Sequence, residues 1–131
     1  MADQRNVRPT DAELAILRVL WDRGPSSVRQ VREATGERGV RYTTTLKTMQ
    51  NMTEKGLVHR DQSRVSHVYS AAIEEEPTQR RLVGEFLDRA FGGSAAKLVM
   101  QALAAGDISA DELKEIRKLL KDKGTGNERT R

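Results

Sequence analysis

The fifteen residues Tyr42-Thr43-Thr44-Thr45-Leu46-Lys47-Thr48-Met49-Gln50-Asn51-Met52-Thr53-Glu54-Lys55-Gly56 decide the fold. On a helix turning roughly 100° per residue, Thr45, Met49 and Met52 share one face, with Leu46 on its flank. Thr43, Lys47, Gln50 and Asn51 take the opposite face, and Thr44 stands at its border. That second face has no large apolar residue and one acidic neighbour, Glu54. Short hydroxyls, amides and a cation are the groups that hydrogen-bond to base edges and phosphate oxygens. Gly56 suits the position just past a helix end. The stretch therefore predicts a helix buried on its methionine side and turned outward, as a recognition helix, on the other.

What precedes it is also helical. Thr10-Asp11-Ala12-Glu13 has the form of a capping box, and Leu14, Leu17 and Trp21 then recur at helical spacing, with Ile16 and Leu20 widening the stripe. Trp21 lies on that stripe and belongs to the core. Gly24-Pro25 ends this helix. Ser26 or Ser27 caps a short second helix, with Val28 and Val31 inward and Arg29, Arg32 and Glu33 outward. Residues 35–39 form a turn. Two short helices, a glycine-bearing turn and a polar-faced third helix make a helix-turn-helix.

After the third helix the pattern changes to strands. Leu57-Val58-His59-Arg60 and Val65-Ser66-His67-Val68-Tyr69-Ser70-Ala71 are read as strands joined by the polar connection Asp61-Gln62-Ser63-Arg64. A helix-turn-helix followed at once by a basic-tipped hairpin is a winged helix. Arg64 would then lie along a duplex backbone or in the minor groove while the third helix occupies the major groove. A hairpin that only closes the core is the alternative.

Glu74-Glu75-Glu76-Pro77 opens the second half, with Pro77 and the acidic run suited to a helix start. Leu82, Val83, Phe86, Leu87, Ala90 and Phe91 form a broad apolar stripe that Gly92-Gly93 ends. Ser94 caps a helix bearing Leu98, Val99, Ala102 and Leu103. Ser109-Ala110-Asp111-Glu112 opens a last helix with Leu113, Ile116, Leu119 and Leu120. Three short helices bury such wide stripes poorly on one another, and pairing with a second copy completes their core. The expected dimerisation residues are Leu82, Phe86, Leu87, Phe91, Leu98, Val99, Leu103, Leu113, Ile116 and Leu120. The expected fold is mainly α with a small β-hairpin wing. Residues 1–73 form a winged helix-turn-helix, 74–121 a helical dimerisation module, and 122–131 a disordered tail.

Composition bounds the function. Of 131 residues, 37% are hydrophobic and 32% charged, which favours a shared second core over two independent ones. There is no cysteine, so disulfides and thiolate metal sites are excluded. The first residues lack the apolar core of a signal peptide and no run spans a bilayer, so a soluble cytoplasmic protein is expected. The formal charge is +4. Residues 1–73 hold 12 Lys/Arg and 8 Asp/Glu, whereas 74–131 hold 11 of each, so the whole excess lies in the winged helix. A basic excess confined to one motif is a footprint for a polyanion. Arg41, Lys55, Arg60 and Arg64 are the expected phosphate partners, giving a salt slope near −7 for a dimer with about four contacts per monomer.

No residues converge for catalysis. His59 and His67 could face each other across the hairpin but lack a third ligand, so no metal, no cofactor and no enzyme activity is expected. Glu74-Glu75-Glu76 is helix-start electrostatics, and Gly92-Gly93-Ser94 lacks the lysine of a phosphate loop. Two binding classes compete with a specific regulator: a winged helix turned protein-interaction adaptor, and a nonspecific architectural DNA binder.

Three segments in order carry a family resemblance: Leu14-Ala15-Ile16-Leu17 to Leu20-Trp21, Val40-Arg41-Tyr42-Thr43-Thr44-Thr45 through Thr53-Glu54-Lys55-Gly56-Leu57-Val58, and Phe91-Gly92-Gly93-Ser94 with Leu98-Val99. Over roughly residues 10 to 121 the chain resembles the penicillinase-repressor family of winged-helix transcriptional regulators. The resemblance implies a homodimeric repressor that binds a palindromic operator in double-stranded DNA and is released by a signal. It puts Thr43, Thr44 and Lys47 on the base-reading side of the helix, continued by Gln50 and Asn51. Family members often carry threonine at the place of Lys47 and arginine at that of Asn51, so the operator sequence does not carry over. Some members are inactivated through a membrane-bound sensor protease, by cleavage in the helix here written Leu98-Val99-Met100-Gln101-Ala102-Leu103. Such a protease or its signalling pathway is thereby an implied partner. The bond cut in those proteins is Asn-Phe, where this chain has Gln101-Ala102, so the cleavage itself does not carry over. Copper-responsive relatives bear cysteines that this chain lacks.

Overall fold

The structure is a computed structural model that describes residues 8–36, 40–63, 65 and 67–130, with side chains through residue 124. Six helices and one hairpin follow in order: α1 (Asp11–Arg23), α2 (Val28–Thr35), α3 (Tyr42–Lys55), β1 (Val58–Asp61), β2 (Val68–Ala71), α4 (Glu75–Phe91), α5 (Ala95–Ala105) and α6 (Ala110–Thr130). This is a winged helix followed by a helical module, as the sequence predicts.

Local chemistry sets the boundaries. The Glu13 amide donates to Thr10 Oγ1 at 3.2 Å and the Thr10 amide donates to Glu13 Oε1 at 2.9 Å, so the capping box at the start of α1 is closed in both directions. Ser27, not Ser26, caps α2, in a second reciprocal box with Gln30. Ser26 instead exchanges both backbone hydrogen bonds with Tyr69 at 2.8 and 2.9 Å, tying the entry of α2 to β2. Gly56 sits at φ 81° and ψ 18°, a left-handed cap that costs a side-chain-bearing residue strain.

The chain divides into two units, residues 1–82 and 83–131. In the first, Ile16, Leu17 and Leu20 of α1, Val28 and Val31 of α2, Met49 and Met52 of α3, and Leu57, Val58 and Tyr69 of the hairpin form one buried cluster. Burying a side chain of this size stabilises by about 1.5–3 kcal/mol. Trp21 packs against this cluster, and its indole N–H donates to the Ile73 carbonyl at 2.9 Å. The division falls inside α4, whose first turn belongs to the first unit and carries the buried Thr78.

A further expectation is corrected. The hairpin ladder pairs Val58 with Ala71 and ends at Asp61 opposite Val68, so Val65 and His67 lie in the loop and not in a strand. The cause is local: the amide and hydroxyl of Ser63 both donate to Asp61 Oδ1, at 2.9 and 2.6 Å, and turn the chain away as soon as β1 ends. His59 therefore faces Ser70, and no histidine pair forms across the sheet. The last helix, α6, runs on to Thr130. It contains no proline, and an interior glycine such as Gly124 costs a helix only about 1 kcal/mol.

In the second unit no residue with a described side chain is buried. Val83, Phe86, Val99, Met100, Leu103, Leu119 and Leu120 are exposed, while Leu87, Phe91, Leu98, Leu113 and Ile116 are half-covered. The rings of Phe86 and Phe91 meet edge to face at 5.6 Å. Leu82, half-buried, closes the first unit.

Candidate nucleic-acid interface

α3 is split by its own periodicity. Thr45, Met49 and Met52 face the core, while Thr43, Thr44, Lys47, Gln50 and Asn51 are all exposed. The side that must hold the helix is apolar and the side left to solvent is polar, so one amphipathic pattern both anchors the element and presents it. Arg41, at the N-cap position, is exposed and makes no side-chain cap, and no acidic residue stands in the first turn. Neither the N-cap side chain nor an acid in the helix's own first turn covers the positive end of the α3 dipole. Thr48 and Thr53 turn their hydroxyls back to the carbonyls of Thr44 and Met49, at 3.0 and 2.9 Å.

The phosphate partners expected from the sequence do not all gather here. Lys55, at the far end of α3, donates from Nζ to Glu13 Oε2 at 2.7 Å. Glu13 is 3% exposed, and its other oxygen already caps α1. One carboxylate thus joins the start of α1 to the end of α3. Burial pushes the Glu13 carboxyl upward. Hydrogen bonds from Lys55 and Thr10, with the Lys55 charge, outweigh that effect and hold it below the usual glutamate range. Arg60 is half-buried on β1 and its guanidinium meets the amide oxygen of Gln62, while Arg64 lies outside the described residues.

The Glu13 site gives a pH prediction. A carboxyl whose folded-state pKa is depressed contributes stability that is present above its unfolded value, near 4.5, and lost as pH falls through the folded value. At pH 7 Glu13→Gln retains the cap but loses the charge pairing, and should lower stability by about 1 kcal/mol. Urea unfolding followed by Trp21 fluorescence should show the gap between variant and wild type closing below pH 4.5. A gap that persists unchanged at pH 3 would mean that the carboxylate charge contributes nothing.

Sequence reasoning missed this link, and it missed two exposed apolar residues beside the α3 face. Tyr42 is 46% exposed at the start of α3, and Val65 is fully exposed in the hairpin loop. Among the described residues, no three of His, Cys, Asp and Glu gather as a metal ion would require. None of the described helices is long and apolar enough to cross a membrane.

A winged helix whose third helix has an open polar face, followed by an apolar helical module, is the class of protein these features define. The family model described as "Penicillinase repressor" matches residues 9–122. The chain is 21% identical over 122 residues to the methicillin resistance regulatory protein MecI of Staphylococcus aureus (strain N315), covering 92% of this chain and 99% of that protein. A penicillinase repressor of Bacillus licheniformis is 26% identical over 115 residues, covering 86% and 89%. This chain belongs to the penicillinase repressor family.

Proposed function

We propose that this protein is a sequence-specific DNA-binding transcriptional repressor that acts in the cytoplasm, as a homodimer on a palindromic operator, and is released from it by a signal. One observation carries the reading. The face of α3 opposite the core, Thr43, Lys47, Gln50 and Asn51, is exposed, polar and free of acidic groups in its first turn. It is held by a helix anchored on buried Met49 and Met52. Its relatives are named as regulators and repressors, which supports a regulator over an enzyme. The homodimer is supported by the unit 83–131, whose apolar side chains find no buried place within one chain. In an isologous pair, each such face covers its own counterpart. An adaptor that had lost DNA binding would present apolar residues on the Thr43, Lys47 and Gln50 face, and that face has none.

Lys47→Ala tests the reading. Lys47 is exposed in mid-helix, where a side chain reaches the edge of a base pair. The variant should lose about 1–3 kcal/mol on the best duplex recovered from a random pool and accept more bases at one position. Equal loss on that duplex and on scrambled DNA would demote Lys47 to a phosphate contact.

A further inference from the structure

Tyr69 is the buried residue of β2, and its hydroxyl has no hydrogen-bond partner among the described residues. Leaving a buried hydroxyl unpaired costs stability, and other polar groups of the same unit avoid that cost. Trp21, Ser26 and Thr78 each donate to a backbone carbonyl, at 2.9, 2.9 and 2.6 Å. Tyr69 borders a cleft of about 490 Å³ that opens between the starts of α2 and α3 and the hairpin loop. That volume suits a small molecule. Leu46, Tyr42 and Val65 give the cleft apolar lining, while Arg29 and His67 add a guanidinium and an imidazole. No acidic residue lines it among the described residues.

These groups select a ligand by exclusion. Without a carboxylate in the lining, an amine finds no counter-charge, whereas a carboxylate meets Arg29 in a forked, charge-assisted pair. A flat apolar body packs on Leu46 and the Tyr42 ring. An oxygen on that body gives the Tyr69 hydroxyl the partner it lacks. Tyr42 is 46% exposed and Val65 fully so. Exposed side chains change rotamer within nanoseconds, so a ligand can pass them to reach the buried tyrosine. We propose that this cleft is an effector site for a small aromatic carboxylate bearing a ring hydroxyl, and that its occupation releases the protein from DNA. The release half rests on the reading of α3 as the groove-entering helix. Tyr42 and Leu46 form an i, i+4 row beside the row of Thr43 and Lys47. A bound carboxylate therefore brings negative charge next to that face and occupies Arg29. Ligand and duplex then oppose each other, and each lowers the affinity of the other by the same factor.

The probe is 4-hydroxybenzoate, with benzoate as the analogue lacking the ring hydroxyl, each titrated calorimetrically into the full-length protein without DNA. Wild type should bind 4-hydroxybenzoate about tenfold more tightly than benzoate. Tyr69→Phe keeps the ring in the core and removes only the unpaired hydroxyl. It should unfold no earlier than wild type and bind the two acids equally. Arg29→Ala should weaken both acids about tenfold. A second titration follows, by fluorescence anisotropy, the duplex that wild type recovers from a random pool. Saturating 4-hydroxybenzoate should lower the wild-type affinity for it about tenfold. Tyr69→Phe should bind the duplex as wild type does and need about tenfold more acid for the same release. No binding of either acid, equal affinity of wild type for the two, or a preference that survives in Tyr69→Phe would overturn the site. Binding that leaves duplex affinity unchanged would overturn its role in release. Failure of wild type to recover any duplex would overturn the underlying reading instead, with the calorimetry still deciding the site.

Discussion

Raising salt from 50 to 200 mM is expected to lower the affinity of the dimer for its operator on the order of 10⁴-fold, a log–log slope near −7. The size of the slope follows from which cations the fold leaves for DNA. Arg41 and Arg29 are exposed at the starts of α3 and α2. Arg60 and Arg64 belong to the hairpin, and Lys55 is drawn off to Glu13 at 2.7 Å. With four contacts per monomer and about 0.9 per phosphate, the dimer reaches −7. The sequence alone leads to the same slope by counting Lys55; with Lys55 held by Glu13, the expected fourth contact is Arg29, exposed at the start of α2. The two counts separate cleanly. Lys55→Ala should leave the slope unchanged and reduce stability, whereas Arg29→Ala should bring it near −5. A Lys55→Ala slope that flattens by 2 would return Lys55 to the interface.

Phe86→Asp is expected to weaken dimerisation by three to four orders of magnitude and, with it, operator binding. Phe86 is 56% exposed in a single chain and its ring meets Phe91 edge to face. Such a ring becomes an anchor only when a second copy covers it. Aromatic anchors at the centre of an interface contribute about 2–4 kcal/mol each when removed. An isologous interface loses the residue twice, and the new carboxylates are brought into an apolar setting. Sedimentation across a concentration series should find the variant monomeric where wild type is dimeric, with Trp21 fluorescence of the winged helix unchanged. A Phe86→Asp protein that remains a dimer would place the subunit contact elsewhere.

Much of this architecture is legible in the sequence because it is encoded locally. The α3 stripe of Thr45, Met49 and Met52, the Gly56 cap and the boxes at Thr10 and Ser109 each span a turn or two, and each appears as read. What escapes is what needs distance or competition. Glu13 advertises its cap in sequence, but its second oxygen meets a lysine 42 residues away, a pairing no spacing predicts. The hairpin shortens because an Asp61–Ser63 turn competes with strand character in Val65-Ser66-His67, and strand propensity yields to the tighter local bond. Ser26 looks like a cap and instead forms an isolated bridge, because Tyr69 supplies both backbone partners. The cleft is invisible before folding: its walls come from residues 27 to 69, and none forms a motif alone.

The most direct measurement uses the absence of cysteine. A single thiol introduced by Asn51→Cys on the exposed face of α3 can carry a chelated iron that cleaves nearby DNA. The account predicts strong cuts at two places on the selected duplex, related by twofold symmetry and spaced by about one helical turn or a multiple of it. An Arg18→Cys control, exposed on α1, should cut weakly or not at all. Cutting from the Arg18 position with none from the Asn51 position would contradict the claim that α3 enters the groove.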